Sequence, residues 1–137
     1  MFLILDTNVL FSFFRKSKVF DSIRKLRESG YALVAPDFVY SELSHLKGDI
    51  LKYSGISEDE FELLLISLKY VVRSVANSDY TRFFPEAEKI TPDKKDSPLF
   101  ALALALKCPI WSREPKLKRQ KSIAVLADED VDKLLIL

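Results

Sequence analysis

Phe2-Leu3-Ile4-Leu5 is a continuous apolar run that stops abruptly at three polar residues, Asp6-Thr7-Asn8, and a helical pattern begins at once after them. An uninterrupted apolar run of this length, rather than an alternating one, predicts a strand of a parallel sheet covered on both faces. That single expectation constrains the rest of the chain. Parallel neighbours need crossover connections, so helices must alternate with further strands. The first charged side chain after the run must sit at the carboxyl edge of the sheet.

The remaining segments fit such an alternation. Val9–Phe14 and Val19–Glu28 read as helices, with Gly30 as a stop, and Tyr31–Ala35 as the second strand. Pro36 is expected to open a helix through His45, because proline suits a first helical turn. Gly48 and Gly55 are expected to bracket a connector. Ser57-Glu58-Asp59-Glu60 has the Ser-x-x-Glu form of a capping box and predicts a helix to about Lys69. Val71–Val75 is a third strand candidate. Asp79–Ile90 reads as a helix interrupted at Pro85, and Thr91–Lys95 as a loop. Ser97–Lys107 predicts a helix that is apolar all round from Leu99 to Leu106, hence a buried one. Pro109–Trp111 and Ile123–Val125 are short strands, and Asp128–Leu137 a closing helix. The expected architecture is a three-layer α/β/α sandwich around a mainly parallel central sheet.

With 137 residues, 1–137 is expected to form a single domain. No stretch approaches the roughly 20 apolar residues of a membrane span, and Met1 leads straight into the first strand without a basic region or cleavage site. The expectation is a cytoplasmic protein with no membrane association. Cys108 is the single cysteine, which excludes an intramolecular disulfide or a cysteine-rich zinc site; its apolar neighbours suggest a small buried hydrophobe. A net charge of +1 means that any nucleic-acid binding must come from a local patch.

Acidic residues recur where this topology collects ligands, beyond the carboxyl ends of the strands. Asp6 follows the first strand, Ser112 and Glu114 follow Ile110-Trp111, Asp96 precedes the buried helix, and Glu42 lies on the helix after the second strand. Converging carboxylates repel and are costly to bury, so a hard divalent cation, Mg²⁺ or Mn²⁺, is the natural compensator. Such ions assist attack at phosphorus. The absence of a Gly-rich phosphate loop disfavours an NTPase, and a single histidine, His45, disfavours histidine-based chemistry. Asp6-Thr7-Asn8 and Asp96-Ser97 also suit simple helix capping, and Glu42 also suits an exposed helix face.

Taken in order, these segments resemble a known family. Leu5-Asp6-Thr7-Asn8-Val9-Leu10 resembles the opening motif of PIN-domain nucleases, and Tyr40-Ser41-Glu42-Leu43 the family's second acidic motif. Lys95-Asp96-Ser97-Pro98-Leu99-Phe100-Ala101-Leu102-Ala103 is similar to the third, and Trp111-Ser112-Arg113-Glu114 to the fourth. The resemblance implies a metal-dependent endoribonuclease that leaves a 5′-phosphate and a 3′-hydroxyl on its RNA substrate. Asp6, Glu42 and Asp96 would be the metal-binding core, Glu114 the member of a more variable second site, and Asn8 and Ser112 supporting groups. Glu114, followed by Pro115, stands where the family usually has Asp. Asp93 lies close enough in sequence to Asp96 to serve as an additional ligand.

Lys94, Lys95, Lys116, Lys118, Arg119 and Lys121 form basic runs beside two of the proposed site residues and would hold an RNA backbone, or else form a solvated loop. Stand-alone proteins of this family are often toxins held by an antitoxin protein. The alternative is a catalytically weak domain serving as an RNA-binding or assembly module. Phe11, Phe13 and Phe14 give the first helix more aromatic surface than one small core is expected to absorb, which points to a homodimer through that helix.

Overall fold

The computed structural model describes residues 1–136. Among them, strands β1 (Phe2–Leu5), β2 (Ala32–Pro36), β3 (Val72–Val75), β4 (Ile110–Trp111) and β5 (Val125–Leu126) form one sheet of order β3-β2-β1-β4-β5. Every pairing is parallel. The helices are α1 (Thr7–Phe13), α2 (Lys18–Glu28), α3 (Asp37–His45), α4 (Lys47–Ser54), α5 (Glu58–Val71), α6 (Phe84–Ile90), α7 (Ser97–Leu106) and α8 (Asp128–Ile136). The expected end of the last helix at Leu137 lies outside the described residues.

The apolar strands work as two-faced walls. Leu3, Leu5, Leu33 and Ala35 pack with α1, α2, α3 and α5 in one core, whereas Ile4, Val34 and Ile110 pack with α7 in the other. Side chains that alternate between faces, all apolar, are what a sheet covered on both sides requires. The chain builds β1, β2 and β3 outward on one side, then crosses to β4 and β5 on the other. The gap between β1 and β4 is therefore a topological switch point.

Several local expectations are corrected. Gly48 and Gly55 do not bracket a connector: Gly48 lies in the first turn of α4, because Ile50 docks fully buried in the core and secures a helix its own propensity leaves weak. Gly55 ends it with a left-handed φ of 66°, the conformation glycine adopts without a Cβ penalty. Pro36 does not open α3 but closes β2. Pro85 does not interrupt a helix but sits in the first turn of α6, after two short 3-10 turns over Asn77–Asp79 and Thr81–Phe83. Lys94–Asp96 forms a 3-10 turn rather than open loop, and the last strand falls at Val125–Leu126 instead of Ile123–Val125. Of the capping box only the N-cap half forms: the Glu60 amide donates to Ser57 Oγ at 3.1 Å, while the Glu60 carboxylate faces Lys16 Nζ at 3.7 Å.

The aromatics of α1 are absorbed after all. Phe14 is fully buried and stacks on Phe61 of α5 with centroids 4.9 Å apart; Phe13 is buried and stacks on Phe20 of α2 at 5.0 Å. Phe11 alone stays partly exposed, edge-on to Tyr53. The ground for expecting a dimer through the first helix is therefore overturned: three packed helices supply enough core to take both rings. Truncating Phe14 to Ala should cost about 3–5 kcal/mol of unfolding free energy, as expected for a fully enclosed aromatic. Denaturant titration measures it, and an effect under about 1 kcal/mol would mean the ring is not core.

Candidate metal and nucleic-acid site

The backbone first brings β1 and β4 side by side, with the Asp6 amide donating to the Trp111 carbonyl at 3.0 Å. Asp6 is itself extended, with φ −79° and ψ 159°, so it continues β1 by one residue before α1 begins. Its carboxylate is buried. Oδ1 accepts from the Thr7 amide at 2.7 Å, and Oδ2 accepts from Ser112 Oγ, at the end of β4, at 2.8 Å. Burial pushes the Asp6 carboxyl above the ordinary carboxylate range. The two hydrogen bonds oppose that shift, while the Glu42 and Glu114 charges reinforce it.

Glu42 reaches the same place from α3. Val39, Tyr40 and Leu43 anchor that helix in the core, which leaves Glu42 on the side facing α1, where Thr7 Oγ1 donates to its Oε1 at 2.9 Å. Ser112 Oγ also accepts from the Glu114 amide at 3.1 Å, so one hydroxyl positions Asp6 and the chain leading to Glu114. Asn8 Oδ1 accepts from the Arg113 amide at 3.2 Å. Asp96 enters from the N-terminus of α7. It is buried, and its Oδ2 has no hydrogen-bond partner; the adjacent Ser97 hydroxyl is also buried and unpartnered. Burial, then the Asp6 and Asp93 charges, push the Asp96 carboxyl up to about 6.

Asp6, Glu42, Asp96 and Glu114 thus line one cleft of about 630 Å³, together with Asn8 and Lys95. Sequence reasoning passed over several of its other walls: Thr7, Ser12, Arg113, Phe11, Phe38 and Leu46. Arg113 lies inside the fourth motif, and only its contacts single it out. Its guanidinium is held by Asp128, at 3.1 Å, and by the Ser12 hydroxyl. Asp128 in turn accepts from buried Trp111 Nε1 at 2.9 Å.

The structure does not bring Asp93 to the cleft. Its Oδ2 accepts from Lys116 Nζ at 2.9 Å and its Oδ1 from the Lys95 amide, and the Lys116 ammonium holds its carboxyl below the usual range. Lys116 is engaged by the same pair, and Lys118 by Asp130 at 2.9 Å. Lys94, Arg119 and Lys121 lie outside the cleft lining; of the expected basic residues Lys95 alone is on it. Cys108 is buried and its thiol pushed up to about 12, consistent with an inert hydrophobe.

Among the described residues, no three His, Cys, Asp or Glu side chains stand close enough to hold a metal ion as they are placed. The donor chemistry nonetheless fits a hard divalent cation. All four acids offer oxygen, and the buried, unpartnered Asp96 oxygen lacks only a positive partner. None of the described helices is long and apolar enough to cross a membrane.

The raised carboxyls make a signed prediction for metal-free protein. The stability Asp96 contributes is fully present below its unfolded value and lost as pH rises through about 6, and Asp6 acts in the same direction. In EDTA the protein should melt higher at about pH 5 than at about pH 7.5, and Asp96→Asn, neutral at both, should narrow that gap. A wild-type melting temperature that climbs across this interval contradicts the assignment.

Comparison with known proteins agrees with this geometry. The PIN domain matches residues 4–123 of the chain. No curated protein sequence matches it. Among solved structures, it superposes on a chain of VapBC2 from Rickettsia felis bound to a DNA fragment from their promoter. The TM-score is 0.64 at 15% identity, over 93% of this chain and 98% of that one, a likeness of fold. With the match spanning all four motifs, this chain belongs to the PIN-domain family, whose nucleases are hydrolases acting on nucleic acids.

Proposed function

We propose that the protein is a divalent-metal-dependent endoribonuclease of the cytoplasm. The observation that carries this reading is the convergence of Asp6, Glu42, Asp96 and Glu114, from four separate segments, on one cleft where an Asp96 oxygen is left without a partner. A structural network of caps would satisfy that oxygen. Asp6, Glu42 and Asp96 would hold the ion, with Glu114 on its outer side. Bound there, Mg²⁺ or Mn²⁺ supplies electrophilic stabilisation for charge developing on the phosphoryl oxygens.

The chain's own residues do the rest. Ser112 and Thr7 orient Asp6 and Glu42 by donating one hydroxyl proton to each carboxylate. Lys95 and Arg113 face the same cleft and would bind phosphates flanking the scissile one; Asp128 and Ser12 hold the Arg113 guanidinium in place for that contact. Hydrolysis adds water across the P–O3′ bond, leaving a 5′-phosphate and a 3′-hydroxyl. The Glu114 carboxylate, one methylene longer than Asp, would make the second ion the weaker of two. The likeness in fold to VapBC2 supports a toxin role, with a separate antitoxin protein as partner.

Asp6→Asn and Asp96→Asn should each lower Mn²⁺-dependent cleavage of single-stranded RNA by more than the roughly 100-fold that losing a supporting residue costs. Ser112→Ala and Thr7→Val should cost about 10- to 100-fold, and Glu114→Gln less than either aspartate change. Near wild-type turnover by repurified Asp6→Asn protein would end the proposal. Metal-dependent RNA binding without cleavage would favour the assembly-module reading.

A further inference from the structure

Helix α1 gives Phe13 and Phe14 to the core but keeps Phe11 partly exposed, on the wall of the cleft. Phe11 lies four residues after Thr7, and Leu46, at the end of α3, four after Glu42, so each sits one turn beyond a residue of the site on the same side of its helix. The Thr7–Glu42 hydrogen bond at 2.9 Å sets the two helices side by side there, and both apolar side chains line the cleft. Tyr53 of α4 meets Phe11 edge-on, with ring centroids 6.2 Å apart, and is itself 68% exposed. The cleft therefore carries an aromatic surface, open to solvent, one helical turn or about 5.4 Å beyond Thr7 and Glu42.

The rest of the cleft says what covers that surface. Lys95 and Arg113 suit phosphate oxygens, and the acids suit a cation that would draw a phosphate to them. One ribose separates a phosphate from the flat apolar face of its base, so a strand held by a phosphate at the acids sets a base about one helical turn away, against Phe11. We propose that Phe11, flanked by Leu46 and Tyr53, is a stacking subsite for one unpaired nucleobase next to the phosphate in the cleft. The subsite rests on the nuclease reading for the place of that phosphate, but the stacking contact itself needs no cleavage. Every base has a π-face, so an aromatic platform accepts any of them without reading sequence. It does require a base free of its own duplex, whose bases already stack on their neighbours. The class of substrate this selects is an unpaired strand, through base stacking rather than through a base-edge code.

The test titrates Asp96→Asn protein in Mg²⁺, which keeps the strand whole, with a short single-stranded RNA carrying 2-aminopurine at successive positions in turn. The fluorescence of one position should be quenched as its base stacks, and removing that base to leave an abasic ribose should weaken binding by about 5- to 150-fold. The fully paired duplex should bind as weakly as the abasic strand. Phe11→Leu, which keeps apolar bulk but loses the ring, should abolish the quench and bind intact and abasic strands alike, whereas Phe11→Trp should retain both the quench and the preference. Tyr53→Ala, at an exposed position, should weaken binding of the intact strand several-fold with an unchanged melting temperature. Quenching at one position without any cleavage by wild type would end the nuclease reading and leave the subsite standing. Cleavage by wild type with no quench at any position, no binding of the strand, or an abasic strand bound as tightly as the intact one overturns the subsite.

Discussion

A strand covered on both faces can carry charge only at its ends, and β1 obeys that limit. Leu3, Ile4 and Leu5 have no exposed surface, so the first position able to hold a carboxylate is Asp6, at the carboxyl edge of the sheet. Even there it is buried, and a hydroxyl from β4 and an amide from α1 are needed to hold it. The β1–β4 pairing that supplies this hydroxyl also creates the switch point from which the cleft opens. Fold and site therefore share one contact, between Ser112 and Asp6.

That contact leaves an electrostatic imbalance. Burial, followed by the Asp6 and Asp93 charges, raises the affinity of Asp96 for protons, and burial, with the Glu42 and Glu114 charges behind it, raises that of Asp6. A domain needing only to be stable would place amides or hydroxyls here, since buried like charges oppose folding. Lys95 and Arg113 border the cleft, but Arg113 is committed to Asp128 and Lys116 to Asp93. Lys95 and Lys116 offset only part of the charge on Asp96, whose carboxyl is still pushed up to about 6, which is the condition a bound cation relieves.

Much of this was legible in the amino-acid order, and the divide is physical. Continuous apolar runs ending at Asp6 and before Ser112 announce a parallel sheet and the edge where its charges gather, because burial on both faces is written locally. The same holds for α7, apolar on every side. What escaped depends on partners distant in sequence. Helix α4 forms because Ile50 finds the core, and Phe13 and Phe14 are buried because Phe20 and Phe61 stack on them. Asp93 looked like a ligand by proximity to Asp96, yet Lys116, 23 residues away, claims it. Arg113 was invisible as a site residue because Ser12 and Asp128, which hold it, come from opposite ends of the chain.

The central claim is that these carboxylates exist for a cation, and the most direct measurement is a Mn²⁺ titration of the melting temperature in wild type and Asp6→Asn. A ligand that binds only the folded state stabilises by RT ln(1 + [L]/Kd), so the wild-type melting temperature should rise steadily with Mn²⁺ and that of the mutant far less. In EDTA the mutant should melt at or above wild type, because a repelling charge has been removed. If wild type is indifferent to Mn²⁺ and Asp6→Asn melts clearly lower in EDTA, Asp6 is a structural cap and the cleft is not a metal site.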